Sequence, residues 1–156
     1  MEEIDLPKGL YFAVAWTGSS ASTSEMIKRM NEFREKELKS YRDIYSRIGY
    51  LVEELADAIK ENDRERIIKL LNENHLLLAK LTKKSKVNIE TKELTKLHEI
   101  AKKYGAGKLS GAGGGDCGIG ICFDKSKAEK MKKMWSANGL EVVDVKIDEN
   151  GAKLHA

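Results

Sequence analysis

The chain has 156 residues, enough to bury the core of one ordinary domain and too few for a second complete one. Its hydrophobic content of 41% fits a globular protein, and 28 Lys+Arg against 25 Asp+Glu leave a net charge of only +3, with no single basic block of the kind that marks a nucleic-acid-binding tail. No apolar run reaches the length of a membrane span, so no membrane partner is expected.

Residues 10–16, LYFAVAW, form a continuous apolar run of strand length, which predicts a strand covered on both faces. The following TGSSASTS, residues 17–24, is loop chemistry. Ser22 with Glu25 three residues on fits a capping box, and Met26, Ile27, Met30 and Phe33 recur at helical spacing, so a helix is expected from about Thr23. A second amphipathic stripe runs from Tyr41 through Ile44, Ile48, Leu51 and Leu55 to Ile59, interrupted by Asn62-Asp63, and a third from Ile67 to Leu81. Leu94, Leu97, Ala101 and Tyr104 make a fourth, closed by Gly105 as a glycine C-cap.

Residues 107–110 read as a short extended piece before the glycine-rich run, after which Cys117, Ile119, Ile121 and Phe123 alternate with Gly118, Gly120 and Cys122 as a strand does. Glycines on one face of that strand imply close approach by another element. Ala128, Met131, Met134 and Trp135 mark a last helix stopped by Asn138-Gly139, and Val143, Val145 and Ile147 alternate in a final strand, with a frayed tail expected from Asn150. With the helical insertion collapsed to one crossover, the order is strand, helix, strand, strand, helix, strand. That predicts an α+β fold, a ferredoxin-like split βαβ antiparallel sheet with an inserted helical segment. In such a sheet the end of the first strand and the loop between the second and third share one edge, so TGSSASTS should face SGAGGG.

That juxtaposition carries the chemistry. Four of the five residues 111–115 are glycine, and such a run can turn successive N–H groups inward without a Cβ to block an anion. The capped helix start across from it offers unpaired N–H groups, a positive dipole end and the hydroxyls of Ser22, Thr23 and Ser24. The plainer alternative is a long hairpin loop beside a capping serine, with no ligand. A Walker A loop is excluded, because Gly107-Lys108 is followed by Leu109 and Lys102 stands where the first glycine belongs; Asp116 breaks a dinucleotide fingerprint.

Other candidates read as structural. His75, His98 and His155 lack metal-ligand spacing, and the first two fit helix flanks; no metal ligands are assigned. Asp116 reads as a turn residue bonding its own backbone. Cys117 and Cys122 lie five apart on one strand, so they face opposite ways and stay unpaired. The lysine clusters at 80, 83, 84, 86 and at 125, 127, 130, 132, 133 lack interleaved aromatics and read as solvated helix faces, with no nucleic-acid partner expected. Free thiols and the acidic N-terminus point to a cytoplasmic protein.

KLSGAGGGDCGIGICFD, residues 108–124, resembles the third motif of the galactokinase, homoserine kinase, mevalonate kinase and phosphomevalonate kinase superfamily in its bacterial phosphomevalonate kinase version, and VAWTGSSASTSEMI, residues 14–27, is similar to the opening of that family's C-terminal domain. The resemblance implies ATP-dependent phosphoryl transfer, with Mg2+, to 5-phosphomevalonate in isoprenoid synthesis. It implies that Ser110, Gly111, Ala112 and Gly113 contact phosphate and phosphoacceptor, that Gly113, Gly114 and Gly115 form the phosphate loop, and that Ser24 and, less directly, Ser22 contact substrate. It assigns no catalytic residue to this chain. The family's N-terminal domain, with its ATP loop and catalytic aspartate and lysine, is absent from this sequence, which is expected to need that domain in cis or in trans and to be inactive alone. Two alternatives stand beside this: a freestanding module that binds a phosphorylated metabolite or forms a homo-oligomer through an exposed interface, and the same domain of another kinase of the superfamily.

Overall fold

The computed structural model describes residues 4–146. In chain order the elements are β1 (Tyr11–Trp16), α1 (Thr23–Lys36), α2 (Leu38–Lys60), α3 (Arg64–Ser85), α4 (Lys92–Ala101), β2 (Ala106–Leu109), β3 (Cys117–Cys122), α5 (Lys125–Ala137) and β4 (Glu141–Val143). The sheet order is β2-β3-β1-β4 with every neighbouring pair antiparallel, the expected ferredoxin-like arrangement.

One face of the sheet carries small residues because helices lie directly on it. A Cβ at Gly118 would sit 2.5 Å from Leu97 Cδ1, and one at Gly120 would sit 2.7 Å from the Trp135 ring, so α4 and α5 approach the backbone as closely as the alternating glycines foretell. Ala13 and Ala15 of β1 complete that layer with Met131 and Leu140. On the opposite face Ala106 and Ile121 pack against Leu51, Ala58, Ile67 and Leu70 of the α2–α3 hairpin. The turn of that hairpin falls at Asn62, which adopts φ 54, and Asp63 then caps α3 by accepting from the Arg66 N–H at 3.1 Å.

Four sequence expectations change. The apolar run of β1 is not fully covered on both faces: Ala13 and Ala15 are buried on one, whereas on the other Phe12 and Val14 are half-buried and Trp16 is 38% exposed. On that second face the α2–α3 hairpin shelters Ala106, Ile121 and, in part, Phe12. Gly105 is not a positive-φ helix cap; a Cβ there would collide with the Ile121 carbonyl, so glycine is needed for strand approach. Ser22 holds the N-cap position of α1, but its side chain makes no capping hydrogen bond. The last strand lies at Glu141–Val143, with Val145 exposed beyond it; Ile147, His155 and the tail from Asn150 lie outside the described residues.

Candidate functional site

Register alone brings the two predicted segments together. Trp16 pairs with Cys117, so the chain leaving β1 meets the chain entering β3. Asp116, at φ 54, locks them: its N–H donates to Ser19 O at 2.6 Å, and its carbonyl accepts from the Thr17 N–H at 2.8 Å. Asp116 therefore bridges two loops through its main chain rather than bonding its own turn.

The glycine loop divides into an inner and an outer part. Its root is closed by the Ser110 N–H on Cys117 O at 2.9 Å. The inner part is packed: a Cβ at Gly113 would strike the Ile89 carbonyl, one at Gly114 would lie 2.8 Å from Met26 Sδ, and one at Gly115 would lie 2.7 Å from Ser19 O. The Gly114 N–H is moreover spent on Ile89 O at 2.7 Å, so it is not free for an anion. The outer part differs. Ser110, Gly111 and Ala112 are exposed, and Gly111, at φ 68, has nothing within 4 Å of where a Cβ would stand.

The start of α1 lies beside this outer part. Thr23, Gly111 and Ala112 line one groove of about 260 Å³, floored by Met26, Met30, Ile89 and Leu109. Ser22 and Gly114 line a second, of about 200 Å³, with Arg29 and Asn88. The first intrahelical bond runs from the Met26 N–H to Ser22 O at 3.1 Å; the N–H groups of Thr23, Ser24 and Glu25 precede it, and no side-chain cap takes them. Ser22 and Ser24 are exposed. The uncapped helix start and the open loop end thus share a concave surface suited to an anion with a short apolar body.

Beneath the loop lies a polar cluster that sequence reasoning missed. His75 and His98 are not helix-flank residues: both are buried, and their rings stack at 3.4 Å between centroids and 9° between planes. His98 and Asn72 guard the free edge of β2. His98 Nδ1 donates to Gly107 O at 2.6 Å, and Asn72 donates to Gly105 O at 3.3 Å, satisfying the outward carbonyls that an edge strand exposes. Burial holds the His98 imidazole below its usual range, against the favourable contact with Gly107. Glu90, whose side chain is 4% exposed, lies 3.2 Å from His75 Nδ1 without hydrogen-bonding alignment, and neither carboxylate oxygen has a partner. Burial also lowers the Lys108 ammonium, with the Glu90 charge acting in the opposite sense, while Lys108 Nζ donates to Leu109 O at 2.8 Å. The signal available in the sequence was one acidic residue directly after Ile89 and before the Thr91 cap.

Cys117 and Cys122 are unpaired and lie five apart on β3, so they face opposite ways; burial raises the Cys122 thiol. The residues of both lysine clusters are exposed except the half-buried Lys132. Among the described residues no helix is long and apolar enough to cross a membrane, and no group of three or more His, Cys, Asp or Glu side chains is placed to hold a metal ion.

A family model described as GHMP kinases C terminal matches residues 55–140. The phosphomevalonate kinase of Streptomyces sp. strain CL190 is 27% identical over 90% of this chain and 38% of its own length. The mevalonate kinase of Thermococcus sibiricus is 31% identical over 97% of this chain and 44% of its own. The solved structure of Streptococcus pneumoniae phosphomevalonate kinase in complex with phosphomevalonate and AMPPNP superposes with a TM-score of 0.70 at 29% identity, covering 86% of this chain and 38% of that one. The chain spans about two fifths of the length of these curated relatives.

Proposed function

Because the chain belongs to the family of GHMP kinase C-terminal domains, we propose that it forms the substrate- and phosphate-contacting half of a phosphomevalonate kinase, working with an N-terminal ATP-binding domain in cis or in trans. In that reaction an oxygen of the 5-phosphate of phosphomevalonate attacks the γ-phosphorus of ATP, the bond to the β,γ-bridging oxygen breaks, and ADP leaves with that electron pair. Such transfers depend on positioning and on charge stabilisation rather than on covalent chemistry by the protein.

The observation that carries the reading is the open outer end of the glycine loop beside the uncapped start of α1. The N–H groups of Gly111, Ala112 and Gly113 and those of Thr23, Ser24 and Glu25 would take phosphate oxygens, with the hydroxyls of Ser22, Ser24 and Ser110 at the rim. Gly113, Gly114 and Gly115 would shape the loop, Gly114 without its N–H. The apolar floor from Met26 to Leu109 would take the short carbon skeleton. A Mg2+ ion used with ATP would be held largely by the nucleotide's phosphates and water, as is usual for that ion. The sheet face left open around Trp16, with half-buried Val14 and Ile119 beside it, supports packing of the second domain.

Calorimetric titration of the chain with 5-phosphomevalonate, mevalonate and Mg-ATP tests the reading. It expects 5-phosphomevalonate to bind at least about tenfold more tightly than mevalonate, since charge-assisted hydrogen bonds to the phosphate are lost in the latter. Tighter binding of mevalonate would favour the second reading, a mevalonate kinase half, which the 31% identity to the Thermococcus enzyme supports. Binding of neither would leave a freestanding or oligomerising module.

A further inference from the structure

The buried cluster beneath the loop has no part in the reading above, yet it is joined to the loop through one short segment. Residues 87–90 leave α3 after Lys86, which adopts φ 57, and are pinned by two bonds: the Val87 N–H to Ser85 Oγ at 3.1 Å and the Glu90 N–H to Thr82 Oγ1 at 3.0 Å. Ile89 then accepts the Gly114 N–H and fills the space that a Cβ at Gly113 would need. The position of Ile89 therefore sets the inner half of the loop.

The next residue, Glu90, turns its side chain into the protein rather than into water. It meets His75 from α3 and acts on Lys108 from β2; His98 from α4 stacks on His75, with Glu99 Oε1 3.9 Å from His98 Nε2 and the Lys102 charge opposing His98 protonation. A sealed carboxylate with both oxygens unpartnered is costly unless neighbouring charge or a proton balances it. Lys108 is also the last half-buried residue before the outer loop end at Ser110. The carboxylate therefore sits between the segment that holds the loop's inner half and the strand that delivers its outer half.

We propose that Glu90 is a positioning residue for the glycine loop, its carboxylate anchoring the 87–90 segment against His75 and Lys108 so that Ile89 presets the loop for an anion. The ligand part of this inference rests on the phosphate-binding reading; the loop part does not.

The test uses the full chain, with Glu90→Gln keeping the shape and removing the charge. Hydrogen-exchange protection of the Gly114 amide is read at neutral pH, alongside the affinity for 5-phosphomevalonate. Glu90→Asp, which keeps the charge, should retain more of the wild-type protection than Glu90→Gln. In Glu90→Gln, protection should be about tenfold lower, and 5-phosphomevalonate binding about tenfold weaker, while amides of α2 and β1 keep their protection. Equal Gly114 protection in wild type and Glu90→Gln overturns the proposal, since side-chain packing alone predicts that result. If wild type binds no 5-phosphomevalonate but Gly114 responds as expected, the positioning role stands and the phosphate reading falls. Should Glu90→Gln not fold, His75→Gln removes the ring that faces the carboxylate and must lower Gly114 protection in the same way.

Discussion

The strand glycines and the loop glycines look alike in sequence and do different work. Gly118 and Gly120 exist so that Leu97, Met131 and Trp135 can lie on the sheet, and any side chain there is paid for by the core. The loop repeats that logic as far as Gly113, Gly114 and Gly115, which pack on Ile89, Met26, Ala21 and Ser19. Only at Gly111 does the space empty. A positive φ keeps glycine there for its conformation, but no part of the fold fills the volume beside it. Glycine density thus marks close packing and ligand access together, and only the neighbours tell them apart.

Gly120→Val should separate the two regions most sharply. Its side chain would enter the space of the Trp135 ring and Met131 Sδ, so a loss of about 3 kcal/mol or more, a fall in Tm of roughly 6–12 °C, is expected in thermal unfolding. The surviving folded fraction should still bind 5-phosphomevalonate. Gly113→Val is the converse: with φ 78 and Ile89 in the way, it should cost about 1–3 kcal/mol and abolish measurable ligand binding. Binding retained in Gly113→Val would erase the distinction between the regions.

The third effect is one of pH. The folded state resists the proton that an unfolded histidine takes up near about pH 6.5, because burial lowers His98. Its contribution to stability is therefore complete above that pH and is lost as pH falls from there toward the lower folded value. Denaturant unfolding between about pH 7.5 and about pH 5 should show that slope, and His98→Gln should reduce it. An unchanged slope would mean that His98 does not govern acid sensitivity at the β2 edge. Smallest is Ser22→Ala, which removes no capping bond and should change stability by less than about 0.5 kcal/mol, against about 1 kcal/mol for Thr91→Ala, whose hydroxyl accepts the Leu94 N–H at 3.2 Å. Weaker ligand binding in Ser22→Ala at unchanged Tm would identify a substrate contact.

Much of the fold was legible because it rests on period. The stripes at Tyr41–Ile59 and Ile67–Leu81 fall within α2 and α3, and the Gly118, Gly120 alternation foretold the helix-covered face. What period cannot carry was missed. Gly105 closes no helix because strand approach, not φ, requires it, and Ser22 keeps the cap position without the cap bond. The site was legible in part: facing loops follow from topology, whereas the division of the glycine loop depends on Ile89. Glu90, His75 and His98 come together from α3, the segment that follows it and α4, and no single period announces such a meeting.

The most direct measurement is an amide chemical-shift titration of the labelled chain with 5-phosphomevalonate. The account predicts perturbation centred on Gly111, Ala112 and Gly113 and on Thr23, Ser24 and Glu25, saturating together, with the strand amides of Gly118 and Gly120 little moved. Perturbation confined to other surfaces, or none in a chain shown to be folded, would contradict the assignment of an anion site to the outer end of the glycine loop.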